Sequence, residues 1–178
     1  MQQPIHNLRL WHDDATGAIF SPCGRYRYTL WRTWNPDNAR MALFLMLNPS
    51  TADEEANDPT VTRCVRFAQR WGYRRLTVCN LFAYRATDPS KMKASDNPIG
   101  PENDDAILCA ASRADIMIAA WGVHGAYLSR DQEVIRSLRP YRTKLHTLGL
   151  TKYGHPRHPL YLRSSTMPSA WHPYPSRR

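Results

Sequence analysis

The residues of this chain that could do chemistry stand just after its apolar runs. Asn48-Pro49-Ser50-Thr51 follows the seven apolar residues Met41 to Leu47, and Asn80 closes Leu76-Thr-Val-Cys79. Gly122-Val-His124 follows Ile116 to Trp121, and His155-Pro-Arg-His158-Pro-Leu160 lies a few residues beyond Leu145 to Gly149. A side-chain amide offers both a donor and an acceptor, so it can hold a water or read the polar edge of a base. An imidazole changes charge near neutrality and can donate to a developing anion. Hydroxyls and arginines suit phosphate oxygens. The set has no pair of carboxylates, no glycine-rich phosphate loop and no metal triad. A single Asn-Pro-Ser is most simply an ordinary strand-to-loop exit. Further strands that end in the same way point to a shared edge, and in open α/β sheets the carboxyl edge is where ligands bind.

The elements that must position these residues follow from periodicity and punctuation. Residues 41–47 are too short for a normal helix and apolar on every position, as in a strand buried on both faces. Pro49 cannot donate to a ladder, which ends the strand. Residues 18–34 form an antiparallel hairpin turning at Pro22-Cys-Gly24. Its second arm alternates Tyr26, Tyr28 and Leu30 with Arg25, Arg27 and Thr29, the period of a half-buried strand. Asn35 to Asn38 is a turn. Asn57-Asp58-Pro59 starts a helix whose apolar face is Val61, Cys64, Val65 and Ala68, with Gly72 past its end. The acids Asp53, Glu54, Glu55 and Asp58 favour that helix start. Strands follow at 75–82, 115–121 and 145–149, with helices at 102–112 and 127–138. A long irregular connection runs from Ala83 to Pro101, a length that is usually functional. Residues 1–16 and the Ser/Pro/Trp tail from Ser164 carry no regular period, and docking would order part of the tail. Four apolar strands separated by helices give a single α/β domain with a four-stranded parallel sheet and an antiparallel N-terminal extension.

Composition narrows the function. The chain has 178 residues, enough for one domain with a real core. No apolar run approaches the roughly 18 residues of a membrane span, and the N-terminus lacks the apolar centre of a signal peptide. Cys23, Cys64, Cys79 and Cys109 include no Cys-x-x-Cys pair, which argues against a metal or iron–sulfur site and fits a reducing cytoplasm. The net charge is +9, and no acid occurs beyond Glu133 while Arg139, Arg142, Lys144, Lys152, Arg157 and Arg163 follow. A quarter of the chain carrying one sign points to a polyanion, most often nucleic acid.

The motifs Leu47-Asn-Pro-Ser50, Asn80, Trp121-Gly-Val-His124 and His158-Pro-Leu160 resemble, in order and placement, those of the uracil-DNA glycosylase superfamily. Residues 25–165 are also similar to a bacterial family catalogued as domain of unknown function 1643. The shared stretches are Met46-Leu-Asn-Pro-Ser-Thr-Ala-Asp53, Asn80-Leu-Phe-Ala-Tyr-Arg-Ala-Thr-Asp-Pro89 and Pro156-Arg-His-Pro-Leu-Tyr161. The superfamily resemblance implies a three-layer α/β/α fold and metal-independent hydrolysis of the N-glycosidic bond of a flipped base, with no cofactor and DNA as partner. It implies catalytic roles for Asn48, which orients water, and His158, which donates to the base oxygen. Leu47, Asn80, Phe82 and Trp121 would hold the base. Ser50, Thr51, Arg85, Arg157 and Lys152 would contact the backbone, and Leu160 or Tyr161 would wedge the stack. Leu47 and Ser50 depart from the superfamily's first motif, and Leu160-Tyr161 from its last, so a damaged or modified base stands beside uracil as the expected substrate. A non-catalytic nucleic-acid-binding module and a hydrolase of free nucleosides or nucleotides remain alternatives.

Overall fold

The apolar run that begins at Met41 forms the middle of a mixed sheet. The computed structural model describes residues 15–37 and 40–173; residues 1–14, Asn38 at the end of the expected turn, and the last residues of the tail lie outside them. In chain order the elements are β1 (Thr16–Phe20), β2 (Arg27–Thr33), β3 (Met41–Met46), α1 (Pro59–Arg70), β4 (Arg75–Asn80), α2 (Pro89–Lys93), α3 (Asn103–Arg113), β5 (Ile116–Ala119), α4 (Arg130–Ser137), β6 (Leu145–Thr147) and β7 (Ser169–Ala170). Short 3₁₀ segments precede α4 and β6, and another covers Pro159–Tyr161.

The sheet has seven strands in the order β1-β2-β4-β3-β5-β6-β7, not the four expected. The four expected strands are its parallel centre, β4-β3-β5-β6. The correction comes from both edges. β2 pairs antiparallel with β4, so the hairpin extends the sheet and is no separate appendage. At the other edge the tail docks as β7 against β6, and Trp171 N–H donates to Leu145 O at 2.9 Å. All four central strands are shorter than their apolar runs. Leu81 and Phe82 leave the ladder but still donate to Met46 O and Leu47 O. The helix expected from residue 127 begins at Arg130, after Leu128 and Ser129 at φ 54 have bent the chain. The connection 83–101 contains α2, capped by Asp88 through Ser90 N–H.

β3 alternates between two cores. Ala42, Phe44 and Met46 pack with Val61, Cys64, Phe67 and Ala68 of α1. Leu43 and Leu45 pack with Ile107, Ala110 and Ala111 of α3 and Val134 of α4. Burying one such side chain contributes about 1.5–3 kcal/mol, so the helices are held by their apolar faces. α1 starts where the sequence directs: Asp58 Oδ1 accepts from Val61 N–H at 2.8 Å, and Pro59 occupies the first helical position.

β2 is not the half-buried strand its alternation implies; positions 27–32 are all buried. The pairing with β1 slips by one residue, with Ile19 opposite Thr29 but Phe20 opposite Arg27, which leaves Tyr28 without a partner. Such a bulge re-aims side chains. Leu30 packs on the α1 side, whereas Tyr28 joins Tyr26, Ala83 and Ala106. Arg27 is thereby turned to the α1 side as well. Further along, Arg32 donates to Asn57 Oδ1 at 2.8 Å, Asp53 O at 2.7 Å, Ala56 O at 3.1 Å, Trp31 O at 2.8 Å and Gly17 O at 3.3 Å. That side chain fastens the loop between β3 and α1.

Candidate functional site

The exits of β3, β4 and β5 meet the start of α1 around a cavity of about 380 Å³. Leu47, Asn48, Asn80, Trp121, His124 and His158 line it, which brings together residues far apart in the sequence.

Asn48 follows β3 and is half-buried. Its Nδ2 donates to Ala86 O at 2.7 Å and to Pro49 O at 3.1 Å, which fixes the amide. Oδ1 is therefore the atom it offers to a water or a ligand. Asn80 ends β4 and is 2 % exposed, yet its Oδ1 has no hydrogen-bond partner. The strand end beneath it is anchored, because Asn103 Nδ2 donates to Asn80 O at 2.9 Å and to Leu81 O at 3.0 Å. A buried acceptor left open in a cavity wall costs about 1–3 kcal/mol unless a ligand or water completes it.

Trp121 is also 2 % exposed, with Nε1 unpartnered, and its ring meets Trp171 edge-on at 5.8 Å. The loop after it presses against the indole: a Cβ on Gly125 would fall 2.1 Å from Trp121 Cδ1, so only glycine fits there. His158 precedes the last 3₁₀ turn, and its Nδ1 accepts from Leu160 N–H at 3.3 Å. The proton of the neutral ring then resides on Nε2, a donor. Burial lowers the His158 pKa below the usual histidine value, with Asp58 opposing the shift, so the ring is neutral at pH 7. His124 Nδ1 lies 3.3 Å from Lys93 Nζ and belongs to the rim.

Two charged groups in the wall were not anticipated as site residues. Asp58, correctly expected as a helix cap, also faces the cavity. Arg27 does too, although it is 2 % exposed. It donates from Nη1 to Ala52 O at 2.7 Å, while its Nε has no partner. Desolvation pushes its pKa down to about 10, and the Asp58 carboxylate works against that. Strict alternation points Arg27 away from this side, so no sequence signal short of the bulge would have found it.

An open groove of about 610 Å³ adjoins the cavity through Ser50, Ala86 and Thr87. Arg25, Thr51, Arg85 and Lys91 line it. Arg85 is held there by Gly24 O at 3.1 Å and by the Phe20 ring, 4.7 Å away. Ser50, Thr51 and Arg85 are thus brought together as expected.

Other candidates are not. Phe82 is fully buried in the cluster of α3 and α4, 5.8 Å from the Tyr127 ring, and does not line the cavity. It leaves because alternation ends with the ladder at Asn80, and Leu81 and Phe82 pack on the same side. Lys152 and Arg157 are exposed on the loop before His158 and line neither the cavity nor the groove, with Lys152 stacked over Tyr153. Leu160 lines a shallow depression beside Arg63 and Arg66 of α1, and Tyr161 is 88 % exposed.

All four cysteines are free, and burial pushes the Cys79 thiol up to about 12. Among the described residues, no group of three or more His, Cys, Asp or Glu is placed to hold a metal ion, and no helix is long and apolar enough to cross a membrane. No curated protein and no solved structure matches the chain. A family model does match, from Arg27 to Leu160, and that span contains every residue named above in the cavity wall. The chain belongs to that family, described as protein of unknown function DUF1643.

Proposed function

We propose that the cavity receives a nucleobase flipped out of a DNA strand and that the protein hydrolyses its N-glycosidic bond without a metal. The observation that carries this reading is the open Oδ1 of Asn80 in a cavity shared with Asn48 and His158. N-glycosidic cleavage develops positive charge on the sugar and negative charge on the departing base. Asn48 Oδ1, fixed by its two amide hydrogen bonds, orients a water toward the sugar carbon. The carbon–nitrogen bond breaks, the water oxygen bonds to the sugar, and its proton passes to solvent or the released base. His158 Nε2–H donates to a base oxygen as that oxygen gains charge, and its neutral form suits a donor that keeps its proton. Asn80 reads the base edge. Leu47 and Trp121 pack against the ring. The groove with Ser50, Thr51, Arg25, Arg85 and Lys91 accommodates phosphates on one side of the flipped nucleotide. Exposed Tyr161, with Leu160, is the group available to fill the gap in the stack. Helices on both faces of a central parallel sheet are compatible with the layered fold this activity would use.

The test is a panel of oligonucleotides, each with one deaminated or modified base, scored for alkali-sensitive abasic sites. One substrate should be cleaved, and His158→Ala should reduce the rate about 10²-fold or more, in line with removal of one preorganised donor. Tight, steeply salt-dependent binding with no cleavage of any substrate would favour a binding module with the same cavity. The absence of both cleavage and binding would reject the nucleic-acid reading.

A further inference from the structure

We infer that Arg27 decides which bases the cavity accepts: it donates to an oxygen on the buried end of the ligand, so bases with a carbonyl there are taken and bases with an amino group are refused. The inference rests on the cavity being a nucleobase site. The Arg27 side chain has a single hydrogen bond, to Ala52 O, and its Nε is buried without a partner in the wall that also holds Asn80. The two other buried arginines among the described residues are treated differently. Arg32 makes five hydrogen bonds to four loop and strand carbonyls and one amide oxygen. Arg130 bonds Leu81 O and pairs with Asp104 and Glu133.

A guanidinium carries five N–H donors and no acceptor, so a ligand atom against it must accept. A ring carbonyl does so, and the cation strengthens that bond as the base departs with negative charge. An exocyclic amino group would set donor against donor at a buried side chain, which is a strong basis for rejection. Asn80 Oδ1 adds the complementary requirement, a ring N–H or amino hydrogen elsewhere on the same ligand. A base edge that presents both a carbonyl and an N–H fits the pair. The device depends on the bulge at Tyr28, since without that slip Arg27 would face the opposite side of the sheet.

The experiment titrates wild type, Arg27→Met and Arg27→Lys with the free bases uracil, hypoxanthine, cytosine and adenine. Binding is followed by chemical-shift changes, and the fold of each variant by circular dichroism. Wild type should prefer uracil and hypoxanthine, which carry a carbonyl at the ring position where cytosine and adenine carry an amino group, about tenfold or more, the discrimination one good hydrogen-bonded pair provides. Arg27→Met should lower that preference to about threefold or less while remaining folded. Arg27→Lys keeps the charge but loses the planar fork, and should fall between them; it carries the test if Arg27→Met does not fold. A preference unchanged in both variants overturns the role of Arg27 and leaves the nucleobase site standing. Equal binding of all four bases by wild type overturns it in the same way. If wild type binds no base, the nucleobase reading fails, and this inference with it.

Discussion

The two ends of β2 carry buried arginines that live under opposite rules. At one end Arg32 spends its donors on Asn57, Asp53, Ala56, Trp31 and Gly17, and so closes the loop that leads into α1. At the other end Arg27 is no more exposed, yet its side chain makes one hydrogen bond and leaves Nε open in a cavity wall. The first arrangement is structural, because every acceptor it serves belongs to the fold. The second has an uncompensated desolvation cost in the empty protein, and such costs collect where a ligand supplies the missing partner. Burial alone does not distinguish a structural arginine from a functional one. The count of satisfied donors does.

The largest expected effect tests this contrast directly. Arg32→Met strands several loop carbonyls and should cost about 3–5 kcal/mol, the range for breaking a buried charged network, with a thermal midpoint lower by on the order of 10 °C. Arg27→Met should stay within about 1 kcal/mol of wild type, because exchanging a poorly paired buried cation for a packed apolar chain is often neutral. Equal losses in the two unfolding curves would erase the distinction between the ends of the strand.

Next in size is Asp58, which stands between the two functions. Asp58→Ala removes the α1 cap and should lower stability by about 1 kcal/mol in denaturant titration, whereas Asp58→Asn keeps a capping oxygen and should recover most of it. Failure of Asn to recover would mean that the carboxylate charge facing Arg27 outweighs the cap.

The smallest effect is a pH dependence at the cavity itself. The His158 pKa lies below the ordinary value of about 6.5. The unfolded chain therefore binds the proton more readily than the folded one. The stability that the neutral ring contributes is complete above about pH 6.5 and is lost as the pH falls below it. The thermal midpoint of wild type should drop more between pH 7 and pH 5 than that of His158→Gln. Parallel curves would mean that the imidazole is not held neutral at the cavity.

Much of this was legible from local chemistry. The apolar run 41–47, the Asp58-Pro59 start of α1, and the placement of Asn48, Asn80 and His158 after strands are set by residues close in sequence. Because parallel strands share a carboxyl edge, that placement alone was enough to anticipate their meeting in one cavity. The exposed positions of Lys152 and Arg157, and the burial of Phe82 on the other side, were not legible, because each depends on where a loop goes after the strand has ended.

The sequence by itself determined the central strands and the longer helices, where α1 starts, and that polar side chains collect at strand ends, since those features arise from periodicity, capping and proline within a few residues. Only the tertiary structure decided that β2 pairs with β4, that the tail adds β7, and that Arg27 faces the cavity. Pairing is a contact between distant segments, and a one-residue slip in a ladder moves side chains to the other face without altering the residues that make it.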